Sequence, residues 1–301
     1  TLNEPWCFTW LGYFHGVHAP GIKDLDQSIA GAHHSALAHA EITRALRAVR
    51  PEIRSGITLN MTNYRVDDPA NAELQKLATY QDSHLNRWWL DAQVHGKYPE
   101  NLVEFYGDKL QKHIQPGDME KLKIDSEFLG INYYSDSFIG TPTEEQVKEN
   151  KGTFLFPINS DGTPPAPYTD MGWPITPSGL EDLLVRIHKD WPSIPDIAIT
   201  ENGAAYDDAP DENGQVNDER RVDYLVSHLD AVSRAIDKGV PVKAYYYWSL
   251  LDNFEWAEGY VKRFGIVYVN FETLQRIPKL SATVYSKVIK TNGLVLEEVR
   301  K

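Results

Sequence analysis

Apolar residues along this chain follow two spacings, a short alternating one in brief runs and a three-to-four-residue one in longer segments. The Ala-rich segment 28–49 shows the longer spacing, which predicts a helix. It stops before Pro51, because the residue before a proline is pushed out of helical geometry. The run 53–60 then predicts a strand. The alternation continues: we predict strands at 128–134, 197–200 and 242–248, and helices at 68–95, from Thr176, from Asp218 towards Gly239, and from Pro278 to near Gly293.

Each predicted strand is followed by a helix or a long connection, an order typical of parallel strands joined by helical crossovers. With a strand remnant at 2–3, the pattern gives the end of one strand and four further strands, whereas a closed barrel has eight. We therefore expect an α/β fold, the C-terminal part of a (β/α)8 TIM barrel from the end of strand 4 through helix 8. It is predicted to form one incomplete domain over 1–301, with the remaining strands in cis or on another chain. The connections 99–125, 135–175 and 250–277 are predicted to be irregular functional loops, because long loops in a domain usually serve a function.

The charge balance narrows the class of partner. The formal net charge is −13, and binding to nucleic acid or an anionic membrane requires concentrated Lys and Arg, so we expect neither. Cys7 is the only cysteine, which excludes an intrachain disulfide and a metal site built from thiolates. His33, His34 and His39 lack the four-residue spacing that places two ligands on one helix face, so we predict solvated or half-buried histidines, no metal and no cofactor. No apolar run of about 18 residues that could span a membrane as a helix appears. The single cysteine suits a reducing compartment, and the predicted location is cytoplasmic.

Two glutamates stand where predicted strands end. Glu4 lies in Thr-Leu-Asn-Glu-Pro at 1–5, and Glu201 lies in Ile-Thr-Glu-Asn-Gly at 199–203. Because active sites of (β/α)8 barrels form at the carboxyl ends of the strands, we expect both to face one pocket. Glycoside hydrolysis requires two such carboxyl groups, one as proton donor and one as carboxylate, and Asn3 can donate to a sugar hydroxyl or to the neighbouring carboxyl group. The alternative for either segment alone is turn chemistry, since Asn, Gly and Pro are typical of turns.

A third segment, Tyr-Trp-Ser-Leu-Leu-Asp-Asn-Phe-Glu-Trp at 247–256, combines aromatic rings with a carboxylate. Pyranose rings present apolar C–H faces edged with hydroxyl groups, so large aromatic rings beside a hydrogen-bond acceptor suit a sugar. Trp248, Glu255 and Trp256 are therefore candidate sugar-binding residues.

Together these segments resemble glycoside hydrolase family 1, the β-glucosidase family. The likeness includes Phe-Leu-Gly-Ile-Asn-Tyr-Tyr at 128–134, Met-Gly-Trp at 171–173 and Lys-Arg-Phe-Gly-Ile at 262–266. The resemblance implies that Glu4 is the acid/base and Glu201 the nucleophile, with Tyr134 beside the nucleophile and Trp173 in the aglycone half of the cleft. The substrate-binding residues that it implies are Asn3, Asn132, Tyr134, Trp173, Trp248, Glu255, Trp256 and Phe264.

The resemblance also implies a reaction: retaining hydrolysis of terminal non-reducing β-D-glucosyl residues through a covalent glucosyl-enzyme, with catalytic carboxyl groups about 5 to 5.5 Å apart. Glu255 implies a free 6-hydroxyl group, because a negative side chain repels a phosphate. The expected partner is a small β-glucoside or cello-oligosaccharide, and the question of a homo-oligomer stays open. One alternative is an inactive fragment or subunit, because part of the family's sugar site belongs to N-terminal strands that this sequence does not contain. The others are a transglycosylating enzyme and a β-galactosidase-like variant.

Overall fold

The structure of the protein, a computed structural model, describes residues 1–141, 143–149 and 167–293. Its internal contacts divide the chain into two units. The first contains Thr1–Asn132, Asp136–Pro164 and Arg186–Ala198, and the second contains Tyr133–Ser135, Pro165–Val185 and Ile199–Lys301. The prediction of a single domain stays a prediction.

The first unit is mainly helical, with short parallel strands. Its helices are α1 (Leu25–Val49), α2 (Ala72–Asp82), α3 (Trp88–His95), α4 (Glu100–Tyr106), α5 (Asp108–Gln111), α6 (Asp118–Leu122) and α7 (Glu144–Glu149), with π-helical segments at Cys7–His15 and Ser83–Arg87. Its strands are β1 (Gly56–Asn60), β2 (Tyr64–Val66), β3 (Phe128–Asn132) and β4 (Ser137–Ile139). Helix α8 (Pro177–Asp190) and strand β5 (Ile197–Glu201) each have residues in both units.

Parallel pairing organises the strands of the first unit. Strands β1 and β3 pair over their full lengths, with Asn60 opposite Asn132, and β2 pairs with β4 in the same sense. The predicted strand remnant lies beside β1, because Asn3 forms a parallel bridge with Thr58. Glu4 directly follows this bridge, so the strand remnant places Glu4 beside the end of β1.

The second unit contains β6 (Val242–Tyr245), β7 (Val267–Val269), β8 (Arg276–Pro278), α9 (Glu219–Asp237), α10 (Leu280–Thr291) and a 3₁₀ turn at Trp256–Glu258. Tyr246 directly after β6 donates its backbone N–H to the carbonyl of Ile199 on β5 at 2.8 Å. Strands β7 and β8 form an antiparallel pair. The core of this unit is made by Ala204, Tyr206, Val222, Tyr224, Leu225, Val226, Tyr247, Ile266 and Val284.

Several predicted boundaries are wrong for local reasons. The helix predicted at 68–95 begins at Ala72, because the side chain of Asn71 accepts the backbone N–H groups at the helix start, and the π-helical segment Ser83–Arg87 interrupts it. Strands β3 and β6 end at Asn132 and Tyr245, before their predicted ends. The last helix begins at Leu280 because the preceding residues pair as strand β8.

The predicted irregular connections contain regular structure. Connection 99–125 holds the short helices α4, α5 and α6, and connection 250–277 holds the 3₁₀ turn, β7 and the start of β8. In connection 135–175 the described residues form β4, α7 and the approach to α8. Residues 142 and 150–166 of that connection lie outside the described residues.

The prediction of solvated or half-buried histidines is wrong for two of the three on α1. His33 is 0% exposed and His39 is 2% exposed. The ring of His33 hydrogen-bonds Tyr98 at 2.8 Å, and the ring of His39 hydrogen-bonds Gln93 at 3.1 Å. Buried polar rings of this kind are retained because each finds a partner inside the fold.

His228 gives the second unit a defined acid sensitivity. It is fully buried on α9, it stacks on the ring of Tyr224, and burial lowers its pKa to about 4. In the unfolded chain the same ring takes up a proton near its ordinary pKa of about 6.5. The contribution of neutral His228 to the free energy of unfolding is therefore fully present above that pKa, and it decreases as the pH falls towards 4.

We therefore expect the free energy of unfolding to fall on acidification from pH 7 to pH 5, with His228 contributing about 2 kcal/mol of the loss. The measurement is urea unfolding at both pH values for the wild type and for His228→Asn, which does not titrate in this range. An unchanged pH dependence in the variant would show that His228 is not the responsible group.

Candidate active site

Glu4 stands in an unusual backbone conformation. Its φ angle is 46°, in the left-handed region that a non-glycine residue rarely adopts. Its backbone N–H donates to the carbonyl of Thr58 at 2.9 Å, and its own carbonyl accepts from the N–H of Cys7 at 2.9 Å. Strained residues of this kind are held in place by their surroundings and are concentrated at functional sites.

Both carboxylate oxygens of Glu4 have a donor. The side-chain amide of Asn132 donates to Oε1 at 2.7 Å and also to Oδ1 of Asn3 at 3.1 Å. The thiol of Cys7 donates to Oε2 at 3.1 Å, although a thiol is a weak donor. The first unit therefore brings together three predicted site residues, Asn3, Glu4 and Asn132.

Glu201 is the last residue of β5 and is half-buried. The phenol of Tyr134 donates to its Oε2 at 2.7 Å, a short hydrogen bond of the kind that charged acceptors form. The backbone N–H of Tyr133 donates to the carbonyl of Glu201 at 2.9 Å. The second unit thus places Tyr134 beside Glu201, as the resemblance implies.

The two residues after Glu201 fix its position. Asn202 is 0% exposed, and its amide nitrogen donates to the carbonyl of Tyr133 at 2.7 Å and to the hydroxyl of Tyr224 at 3.0 Å. Its amide oxygen accepts from the hydroxyl of Tyr245 at 2.7 Å. At Gly203, a Cβ atom would overlap the carbonyl oxygen of Trp248, so only glycine allows this approach.

Aromatic rings line the side of Tyr134. Its ring centroid is 5.3 Å from that of Trp173 and 6.1 Å from that of Phe264, and the latter ring is 1% exposed. The indole nitrogen of Trp248 donates to Oε2 of Glu255 at 3.4 Å. Trp256 is 68% exposed.

Some functional groups carried no signal in the sequence. The predicted roles did not include Cys7, which contacts Glu4, or Asn202, which was treated only as a turn residue. Asp252 was also missed, although its side chain is completely buried among cations and backbone N–H groups. A short polar residue beside a motif does not by itself indicate burial, so the sequence offered no means of finding these three. Within the described residues, no group of three or more His, Cys, Asp or Glu side chains could hold a metal ion.

Comparison with known proteins defines the class to which this strand-end site belongs. The sequence model described as glycosyl hydrolase family 1 matches residues 1–294. The chain therefore belongs to glycosyl hydrolase family 1, and the resemblance seen in its motifs is confirmed.

Individual relatives agree with this assignment. Beta-glucosidase A of Acetivibrio thermocellus is 41% identical over 295 residues, which are 97% of this chain and 64% of that protein. A psychrophilic β-glucosidase from Micrococcus antarcticus has a similar structure, with a TM-score of 0.86 and 39% identity over 98% of this chain and 65% of that one. The β-glucosidase from Thermotoga maritima in complex with glucoimidazole gives a TM-score of 0.86 at 36% identity, over 98% of this chain and 64% of that one.

This chain thus spans 64% of the length of the A. thermocellus relative. The match confirms the predicted fold class, the C-terminal part of a (β/α)8 barrel. The individual roles of the site residues stay predictions.

The close approach at Gly203 can be tested directly. Gly203→Ala forces the Trp248 backbone away from β5, so we expect the free energy of unfolding to fall by about 1 to 3 kcal/mol. The matched control is Gly31→Ala in α1, where the added Cβ meets its nearest atom at 3.4 Å and improves helix propensity by up to about 1 kcal/mol. Urea unfolding of both variants is the measurement. A Gly203→Ala protein as stable as the control would contradict the close approach.

Proposed function

We propose that the protein to which this chain belongs is a retaining β-glucosidase, which hydrolyses terminal non-reducing β-D-glucosyl residues. The observation that supports this most strongly is the 2.7 Å hydrogen bond from Tyr134 to Glu201 at the end of β5. A carboxylate that accepts an oriented phenol hydrogen bond is restricted in direction, as a nucleophile requires. Family membership and the β-glucosidase relatives support the same reaction.

The reaction proceeds in two displacements. Oε1 or Oε2 of Glu201 attacks the anomeric carbon, while Glu4 donates its proton to the departing glycosidic oxygen. The bond between the anomeric carbon and that oxygen breaks, and a glucosyl ester of Glu201 forms. Glu4, now ionised, then takes a proton from water as the water oxygen attacks the anomeric carbon and releases Glu201. Asn132 orients Glu4 throughout, because its amide donates to the carboxylate.

The proposed substrate rests on the predicted sugar-binding side chains of the second unit. Glu255 and Trp248 are proposed to hold the glucose, the carboxylate accepting from the 4- and 6-hydroxyl groups. Trp173, in edge-to-face contact with Tyr134, and the exposed ring of Trp256 offer apolar surface to the sugar and the aglycone, and the ring of Phe264 lies beside that of Trp173. The glucoimidazole complex of the T. maritima relative supports a glucose-shaped ligand, so small β-glucosides and cello-oligosaccharides are the proposed substrates.

The proposed partners and location of the protein are inferred mainly from its sequence. A net charge of −13 disfavours nucleic acid and anionic membranes as partners. Among the residues that the structure describes, no helix has the length and apolar character needed to cross a bilayer. The cytoplasmic location stays a prediction, and the question of a homo-oligomer stays open.

Substitution of each glutamate separates the two proposed roles. Glu201→Gln removes the nucleophile, and we expect kcat to fall by at least about 10³-fold for every aryl β-glucoside. Glu4→Gln removes the proton donor of the first step, so kcat/KM, which reports glycosylation, should fall by about 10²- to 10⁴-fold for an alkyl glucoside. The fall in kcat/KM should be far smaller for a 2,4-dinitrophenyl glucoside, whose leaving group needs no proton. Steady-state kinetics with both substrates is the measurement, and Glu212→Gln, an exposed carboxyl group, is the control.

Mass spectrometry after incubation with a 2-deoxy-2-fluoro-β-glucoside completes this test, because the trapped ester should lie on the peptide that contains Glu201. Equal losses of kcat/KM with both leaving groups in Glu4→Gln would contradict its role as the acid. A wild-type protein without turnover or adduct would favour the inactive-fragment alternative. Disaccharide products with an added acceptor would favour transglycosylation, and faster turnover of a galactoside would favour the β-galactosidase-like variant.

Tyr134 and its neighbour allow a matched pair of substitutions. Tyr134→Phe removes the hydrogen bond to Glu201, and we expect kcat to fall by about 10- to 100-fold, as for other hydrogen bonds to charged groups. Tyr133→Phe removes a phenol that donates to the carbonyl of Thr176 at 2.8 Å, so it should lower stability and leave kcat nearly unchanged. Kinetics and thermal unfolding of both variants check this. Equal kcat losses in the two variants would contradict the proposal that Tyr134 orients the nucleophile.

A further inference from the structure

Asp252 is a buried carboxylate of the second unit whose two oxygens each accept from two donors. Its side chain is 0% exposed. Oδ1 accepts from the backbone N–H of Gly265 at 3.0 Å and from the ammonium group of Lys279 at 3.2 Å. Oδ2 accepts from Nη1 of Arg263 at 2.7 Å and from the backbone N–H of Val269 at 3.3 Å. The proposed reaction does not use this group, so its burial needs another explanation.

Asp252 belongs to a connected set of charges that we call the Asp252 cluster. Its members are Asp208, Asp218, Arg221, Asp252, Arg263 and Lys279. Lys279 bridges Asp252 to Asp208 at 2.8 Å, and Arg221 pairs with both Asp208 and Asp218. The three carboxylates and three cations balance, which makes their burial tolerable, whereas removing one member leaves a buried charge without its counter-ion.

The carboxylate of Asp252 ties two chain segments together. The first is its own segment, which carries Trp248 four residues earlier and Glu255 three residues later. The second is 263–265, whose two end residues both donate to Asp252 and flank Phe264. The backbones lie so close that a Cβ atom on Gly265 would overlap the backbone N–H of Asp252. Both segments contain predicted substrate-binding residues, and one carboxylate fixes their spacing.

The far side of Glu255 is also fixed. Its backbone N–H donates to the carbonyl of Gly259 at 2.7 Å, and its carboxylate receives the indole N–H of Trp248. Between Glu255 and Asp252 lie only Asn253 and Phe254, and the side-chain amide of Asn253 donates to the carbonyl of Leu251 at 3.1 Å. The short segment 252–255 is therefore held at both ends by hydrogen bonds, and these set the direction of the Glu255 side chain.

We infer that Asp252 is a positioning residue that determines how Glu255 meets the sugar, and through it the preference for a glycone that carries a 6-hydroxyl group. This inference rests on the proposed function. A sugar with a hydroxymethyl group gains a hydrogen bond to a charged acceptor only when Glu255 stands at the right place. A pentose keeps the 4-hydroxyl contact to Glu255 but lacks the 6-hydroxyl contact, so it loses less when Glu255 is displaced.

The test compares 4-nitrophenyl β-D-glucoside with 4-nitrophenyl β-D-xyloside in the purified protein. Asp252→Asn weakens the attraction to Arg263 and Lys279 and loosens the segment before Glu255. We expect kcat/KM for the glucoside to fall about tenfold more than for the xyloside, mainly through KM, because a hydrogen bond to a charged group is lost from the ground state and the transition state alike.

Asp218→Asn is the matched control, since Asp218 is a fully buried carboxylate of the same cluster that contacts Arg221 and Ser281. It should lower the urea midpoint as Asp252→Asn does and leave the glucoside-to-xyloside ratio unchanged. Arg263→Lys serves as a second variant with a milder change. It keeps the positive charge but loses the planar guanidinium group, which stacks on Tyr268 and Phe271, and the ratio should shift in the same direction as for Asp252→Asn.

The outcomes separate the inference from the proposed function. A wild type that hydrolyses the glucoside, with a ratio that shifts in Asp252→Asn and Arg263→Lys but not in Asp218→Asn, supports the inference. A wild type that hydrolyses the glucoside, with ratios unchanged in all three variants, overturns the inference and leaves the proposed function intact. A wild type that hydrolyses neither substrate overturns the proposed function, and the inference with it.

Discussion

The side-chain amide of Asn202 is the interaction on which the second unit's site depends. It joins the end of β5 to Tyr224 and Tyr245, and the hydroxyl of Tyr224 donates onward to the carbonyl of Tyr134 at 2.9 Å. The phenol of Tyr134 then reaches Glu201. A buried amide that loses one partner pays a desolvation cost larger than the hydrogen bond itself gains, so this network tends to hold as a whole. The position of Glu201 is therefore set from the interior of the fold.

The elements that could be predicted are those with a strong periodic signal. Helix α1 and strand β5 could be predicted because apolar residues recur along them at a regular spacing. Glu4 and Glu201 could be predicted as site residues because each lies at a strand end and in a family motif. The start of α2 was misplaced because Asn71 and Asp68 are both good capping residues, and the sequence does not decide between them. His39 and Asp252 were beyond reach, since their burial depends on partners more than 10 residues away along the chain.

The charges of the Asp252 cluster contribute more to the position of the neighbouring side chains than to the stability of the fold. The six ionic groups of the cluster, four of them buried and two half-buried, gain little net free energy, because the cost of removing them from water offsets most of their attraction. Their main effect is to fix the position of Asp252, since a carboxylate with four donors tolerates few alternative positions. An apolar cluster of the same volume could stabilise the unit equally well, but it would leave the segment that carries Glu255 free to settle in several places.

The left-handed backbone at Glu4 sets local folding preference against the proposed chemistry. Asparagine and glycine adopt such a conformation more readily than glutamate does. Replacement of Glu4 by Asn or Gly would therefore relax this backbone and at the same time remove the carboxyl group. Local stability and the proposed proton transfer thus favour different residues at position 4.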